Sequence, residues 1–193
     1  MKTGLGLYQK YRMLYAYFNL LRFGIKKALL GFDVANIFIQ RVDKYSLRLI
    51  LKKNGAKIGR DCDIETGQIF HNCKNYSNLS IGNNCHIGKN CFFDLRDRIT
   101  IGDNVVISMK CTFITHIDMS RSALSRLYPS VGKPVVIKSN AYVGANANLL
   151  MGSEIGENGF LTAGSLLNTN IEPYSMAGGI PAKLIRKFDF PKG

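Results

Sequence analysis

Between residues 58 and 167 an aliphatic residue or phenylalanine recurs at intervals of six. The series runs Ile58, Ile64, Ile81, Ile87, Phe93 and Ile99, shifts by two to Ile101, Ile107 and Phe113, and resumes at Ile137, Val143, Leu149, Ile155, Leu161 and Leu167. Residue 137 lies a whole number of hexads beyond residue 113, so the intervening segment interrupts the repeat without changing its register. Glycine follows the aliphatic at Gly59, Gly82, Gly88, Gly102, Gly144 and Gly156. Four places after the aliphatic, small or modest side chains recur, among them Cys62, Cys85, Cys91, Val105, Cys111, Ala141 and Ala147. Such a period matches neither the helical repeat of roughly 3.6 nor the alternation of a half-buried strand. It predicts short strands joined by tight turns, each aliphatic pointing into a narrow core and each glycine supplying unusual turn dihedrals. Stacked coils then pair their backbones with the coils above and below, as in other solenoids.

A different pattern governs residues 5–50. Leu7, Tyr11, Leu14, Tyr15, Phe18, Leu21 and Phe23 recur at roughly helical spacing, with Lys10, Arg12, Arg22, Lys26 and Lys27 between them. Gly24 and Gly31 are expected to break this stretch into short helices. Two readings fit: a basic, aromatic-rich helix lying in a membrane interface, or a helical cap over the open end of the solenoid. They are compatible. The predicted organisation is a basic amphipathic segment at 1–57, a β-helix at 58–175 with an extended loop at about 117–134, and a closing segment at 176–193.

Charge sharpens the division. The chain of 193 residues carries 26 Lys+Arg against 13 Asp+Glu, a formal charge of +13. Asp33 and Asp43 are the sole acids among residues 1–60, which hold half of the basic residues. The excess predicts an anionic partner. No nucleic-acid-binding motif or aromatic platform accompanies it, so nucleic acid is not expected. Neither a secretory signal nor a run of about 18 apolar residues is evident, which predicts a cytoplasmic location, peripheral on the inner face of the cell membrane if the N-terminal segment binds lipid. Four of the five cysteines occupy the small inward position of the repeat, where Cys serves as a compact hydrophobe. Cys73 falls outside the frame.

Three stretches carry a resemblance to a known family. They are Ile101-Gly102-Asp103-Asn104-Val105 leading to Thr115-His116; the excursion ending Gly132-Lys133-Pro134-Val135-Val136-Ile137; and the closing run from Glu172 to Arg186 that contains Ala177-Gly178-Gly179-Ile180-Pro181-Ala182-Lys183. Residues 58–187 resemble the hexapeptide-repeat acyltransferases, nearest the galactoside, maltose and polysaccharide O-acetyltransferase branch. The resemblance implies a left-handed parallel β-helix, acetyl-CoA as donor, and a homotrimer with sites between neighbouring subunits.

Acyl transfer from a thioester to a hydroxyl needs a base, because an alcohol is a weak nucleophile near neutral pH. Of His71, His86 and His116, only His116 sits where the repeat breaks into its longest irregular segment, and in the family the matching histidine is the base. His86 and His71 read as structural, one facing solvent at a turn and the other in an irregular stretch. Asp94 matches the position, often Asn in the family, that holds the acceptor sugar. The resemblance places pantetheine along Tyr142, Gly144, Ala145, Ala163 and Asn168, with the Ala145 N–H facing the thioester carbonyl. It places Lys183 and Arg186 at the adenosine phosphates. The histidines are not spaced as zinc ligands, and no metal is expected. The implied activity is O-acetylation of a sugar hydroxyl; the basic, aromatic N-terminal segment points to an acceptor at the membrane, a lipid-linked or growing surface polysaccharide. N-acetylation of an amino-sugar nucleotide and a non-catalytic scaffold remain alternatives.

Overall fold

The computed structural model describes residues 3–189, with side chains described from residue 6; residues 190–193 of the expected closing segment lie outside that range. Three helices precede the repeat: α1 (Thr3–Leu30), α2 (Phe32–Phe38) and α3 (Lys44–Lys53). Gly24 does not break α1, contrary to the expectation from its composition; the long helix ends at Gly31, whose φ of +86° suits glycine. A single interior glycine costs a helix only about 1 kcal/mol, which the packing of α1 on its neighbours overrides. Asp43 caps α3, accepting from the Tyr45 and Ser46 N–H groups.

The remainder winds into a parallel β-helix. The first coil holds β1 (Lys57–Ile58), β2 (Asp63–Ile64) and β3 (Ile69–His71), and the second β4 (Leu79–Ile81), β5 (His86–Ile87) and β6 (Phe92–Asp94). The third holds β7 (Ile99–Ile101), β8 (Val106–Ile107) and β9 (Thr112–Phe113). There the chain leaves the solenoid as the hairpin β10 (His116–Ile117) and β11 (Val131–Gly132). It returns through β12 (Val135–Ile137), β13 (Tyr142–Val143) and β14 (Asn148–Leu149), then β15 (Glu154–Ile155), β16 (Phe160–Leu161) and β17 (Leu166–Leu167). The last coil, β18 (Asn170–Ile171) and β19 (Ser175–Gly179), is closed by β20 (Ala182–Lys187), antiparallel to β19.

The hexad residues form most of each inward ladder. On the first face Ile58, Ile81, Ile101, Ile137, Ile155 and Ile171 stack in register. On the second face the ladder runs from Ile64 through Ile87, Ile107, Val143 and Leu161 to Ala177. The third face stacks Phe70, Phe93, Phe113, Leu149 and Leu167. The two-residue shift at Ile99 is a second inward row on the first face, where Leu79, Ile99 and Val135 pair and are buried.

The glycines serve a different purpose from the expected one. At Gly59, Gly82 and Gly102 an added Cβ would lie 2.4–2.6 Å from atoms of the next coil, so glycine is required by the close approach of stacked backbones. The left-handed backbone sits two residues later, at Asn84, Asn90, Asn104, Asn140, Asn146 and Asn158. Asparagine tolerates that conformation better than most side chains. Rows of asparagine amides also bond from coil to coil, Asn84 to Asn104 and Asn104 to Asn140, each at 3.0 Å.

The helices cover the open N-terminal end. Leu47, Ile50 and Leu51 of α3 and Ala35 of α2 are buried against the first coil. Arg48 donates to the Gly59 and Cys62 carbonyls, and Asn36 donates to the Phe70 carbonyl at 2.7 Å. α1 buries only a narrow strip containing Ala16 and Phe23, with Asn19 bonded to Ser46 at 3.0 Å. Cys62, Cys85, Cys91 and Cys111 are buried in the core as expected, and Cys73 is half-buried.

Candidate active site

Three interruptions of the hexad, at residues 72–78, 94–98 and 114–134, all fall at one corner of the solenoid, where the third face turns back to the first. Backbone pairing to the next coil continues through Ile114, after which Thr115 departs into the hairpin. His116 opens β10, directly beside Asp94 at the end of β6 and Asn72 after β3.

Asp94 is 1% exposed. Its Oδ2 accepts from the Thr115 N–H at 2.9 Å and the Thr115 hydroxyl at 3.0 Å, and lies 2.6 Å from His116 Nδ1. Its Oδ1 accepts from the Asn72 amide at 2.9 Å. Burial opposes ionisation, but hydrogen bonds from His116, Asn72 and Thr115 outweigh it and hold the carboxyl below its ordinary range. An ionised carboxylate can only accept, so Nδ1 of His116 carries the proton and Nε2 keeps its lone pair. The Asn72 amide nitrogen stands 3.5 Å from Nε2. The result is an oriented imidazole whose basic nitrogen meets only the long Asn72 contact, held at a corner with solvent access.

The resemblance gives Asp94 to an acceptor hydroxyl; in the structure its oxygens accept from Thr115 and Asn72 and lie against His116 Nδ1, beneath the ring. A cavity of about 750 Å³ lies beside it, between α2 and the same corner, lined by Asn36, Gln40, His71, Asn72, Lys74 and Arg96 among others. Arg96 binds Asp118 at 2.9 Å and ties the hairpin to this wall. Cys73 also lines the cavity; burial and the charges of Asp33 and Asp94 push its thiol up to about 11, which keeps it protonated.

The sequence reading missed Asn72, which has a φ of +52° and belongs to no repeat position. Its signal was the register itself, since three breaks that recur at one corner mark one site. Phe70 was passed over for a related reason: it continues the hexad from Ile64, yet the frame is lost immediately after it. His86 faces Asp63 at 3.3 Å from within β5, not from a turn, and His71 ends β3 against the Phe92 ring.

The donor-side residues other than Asn168 lie elsewhere. Tyr142 stacks on Phe160 with ring centroids 4.6 Å apart, and its hydroxyl bonds Ser108 at 3.0 Å. Gly144 and Ala145 turn the corner between the second and third faces. A Cβ on Gly144 would stand 2.3 Å from the Ala163 nitrogen, so the two coils meet there without side-chain bulk. The Ala145 N–H has no backbone partner among the described residues, whereas its carbonyl accepts from Gly164. Asn168 lies at the His116 corner, two coils further on. Lys183 and Arg186 project from the exposed β20. Within one chain the structure therefore separates His116 from Ala145 by the width of the third face.

One consequence is measurable in stability. A carboxyl whose folded pKa lies below its ordinary value of 3.8 stabilises the fold fully above that value, and the contribution fades as pH falls through the lower folded pKa. The difference in Tm between wild type and Asp94→Asn is thus expected to hold steady above about pH 5 and to shrink below about pH 4. A difference independent of pH between 2 and 6 would contradict it.

Residues 78–109 match the family model described as the hexapeptide repeat of succinyl-transferase. Over 146 residues the chain is 27% identical to the galactoside O-acetyltransferase of Escherichia coli K12, a match covering 72% of this chain and 68% of that protein. Over 113 residues it is 37% identical to an acetyltransferase of Staphylococcus aureus Mu50, covering 58% of this chain and 56% of the relative. Among solved structures, the hexapeptide-repeat acetyltransferase of Vibrio cholerae in complex with acetyl coenzyme A superposes with a TM-score of 0.69 at 22% identity, covering 93% of this chain and 90% of that one. Repeat, coil architecture and relatives together define an acyltransferase class. The chain carries the hexapeptide repeat and is similar to acetyltransferases built on it, the galactoside O-acetyltransferase among them.

Proposed function

We propose that this protein transfers an acetyl group from acetyl-CoA to a sugar hydroxyl, with His116 as general base. The observation that carries the reading is the His116–Asp94 pair at the corner from which the hairpin departs. With Nδ1 committed to Asp94, Nε2 takes the proton of the acceptor hydroxyl as its oxygen attacks the thioester carbonyl. The carbon–sulfur bond then breaks, and the imidazolium returns the proton to the departing thiolate. Asp94 stabilises the imidazolium while it exists. No acyl-enzyme is required, since Cys62, Cys85, Cys91 and Cys111 are buried.

The unpartnered Ala145 N–H is suited to the oxyanion that develops on the carbonyl. The bare seam at Gly144 and Ala163 suits a thin pantetheine arm, with Lys183 and Arg186 available for phosphates. These groups and His116 occupy different corners, so a complete site needs a neighbouring copy, which supports a homotrimer with sites between subunits. The acceptor is assigned to the cavity lined by Asn36, Gln40, Lys74 and Arg96, in place of Asp94. A saccharide of surface polysaccharide, lipid-linked acceptors included, and a cytoplasmic site of action complete the reading.

Calorimetry with acetyl-CoA, followed by thiol release against a panel of sugars, tests the proposal. Saturable binding is expected, with thiol release that depends on a sugar hydroxyl. A protein that binds no acetyl-CoA would return the scaffold reading to the front. Release with amino sugars alone would favour N-acetylation.

A further inference from the structure

α1 is 28 residues long, about 42 Å at 1.5 Å per residue, yet it packs against the rest of the molecule along a single strip. Its opposite side carries Tyr11, Leu14, Phe18, Leu21, Ile25 and Leu29, spaced three or four residues apart along the helix. All are exposed, from 50% at Ile25 to 76% at Leu29. An apolar stripe of this length is not left to water without a partner.

Its charges identify the partner. Lys10, Arg12, Arg22, Lys26 and Lys27 are the only charged residues of α1, and no acid occurs before Asp33. Arg12, Lys26 and Lys27 turn toward the rest of the molecule, Arg12 over the Tyr45 ring and Lys27 to Asn54, so Lys10 and Arg22 are the cations that flank the stripe. A second copy laid along it would bring these against their counterparts with no carboxylate on either helix to offset them. An anionic surface meets the same cations favourably. Tyr8, Tyr15 and Tyr17 border the stripe and are exposed, amphipathic rings of the kind that sit at a headgroup boundary. Lys10 and Arg22 lie within or at the edge of the apolar arc, with stems long enough to lift their charges to phosphate level. No helix among the described residues is long and apolar enough to cross a membrane, so α1 lies on the surface.

We propose that α1 is an interfacial helix that docks the protein on an anionic lipid bilayer, its apolar stripe buried at the headgroup boundary and its cations on acidic phospholipid. The inference does not rest on the acetyltransferase reading, because its test reads lipid binding alone. α2 joins α1 to the acceptor cavity, so docking would bring that cavity close to the bilayer.

The experiment is flotation of the full-length protein with vesicles of phosphatidylcholine containing phosphatidylglycerol, and with pure phosphatidylcholine. Wild type is expected to float with the anionic vesicles and to lose most of that binding in high salt. Lys10→Gln/Arg22→Gln is expected to weaken partitioning by about 25-fold, at about fivefold for each cation near the surface. Leu14→Gln/Phe18→Gln is expected to weaken it at least about tenfold, since each buries a large apolar group. All four positions are exposed, and far-UV circular dichroism with the Tm confirms that the variants fold. Failure of wild type to float with anionic vesicles, or flotation of both double variants equal to that of wild type, overturns the proposal. So does a result in which Leu14→Gln/Phe18→Gln dissociates an oligomer in sedimentation without changing vesicle binding, because the stripe would then be an interface between copies.

Discussion

Replacing His116 by alanine is expected to lower the rate of acetyl transfer by about 10²–10⁴-fold while leaving acetyl-CoA affinity within a factor of about two. The split follows from geometry. His116 stands at the corner between the third and first faces, whereas Gly144, Ala145 and Ala163 line the corner between the second and third. Truncating the imidazole removes the proton acceptor without touching the seam assigned to the donor. Calorimetry on the same preparation separates the two effects. Equal losses of rate and of acetyl-CoA binding would show that His116 holds the donor and is not the base. An unchanged rate would end the acid–base assignment.

The second large effect is expected at Asp94, which acts through its neighbour. Asp94→Asn is expected to lower the rate by about 10²–10³-fold, bounded by the loss at His116 itself. Every group facing the carboxylate is a donor: the Thr115 N–H and hydroxyl, the Asn72 amide, the Arg96 N–H and His116 Nδ1. An asparagine amide must turn its own NH₂ toward one side of that set, so either Asn72 and Arg96 or Thr115 and His116 lose an acceptor. The charge that stabilises the imidazolium is also lost. A purely structural role would lower stability without altering the histidine tautomer. Imidazole ¹⁵N shifts decide between them: the Nδ1–H form is expected in wild type and a mixture with the Nε2–H form in the variant. A single unchanged tautomer with full activity would refute the positioning role.

Much of this was legible in the amino-acid order because each coil repeats one steric problem. Ile81, Ile101 and Ile137 must point inward for the same reason, and a period of six records it. The break at 114–134 was equally plain and led to His116. What escaped was whatever depends on the third dimension. Asn72 and His116 are far apart in the chain and meet because β3 and β9 lie two coils apart on one face. Asp94 looks like a surface turn residue or a sugar ligand until the Thr115 backbone is seen to close over it. The glycines were read through their dihedral freedom, whereas stacking demands their lack of a side chain. Gly24 was read as a breaker because local propensity is blind to the α3 surface on which α1 rests.

The three interruptions share one corner, and that has a bearing on how such a molecule changes over generations. At the other two corners the chain is locked between bare glycine seams and asparagine rows that must match coil for coil, so added length there would unzip several hydrogen-bonded neighbours at once. At the corner carrying His116 the backbone already leaves the ladder, and added residues fall into solvent. Descendants of this chain can therefore lengthen, shorten or rewrite the wall beside the base, and so alter which acceptor is admitted, while the prism that holds the base in place is inherited unchanged.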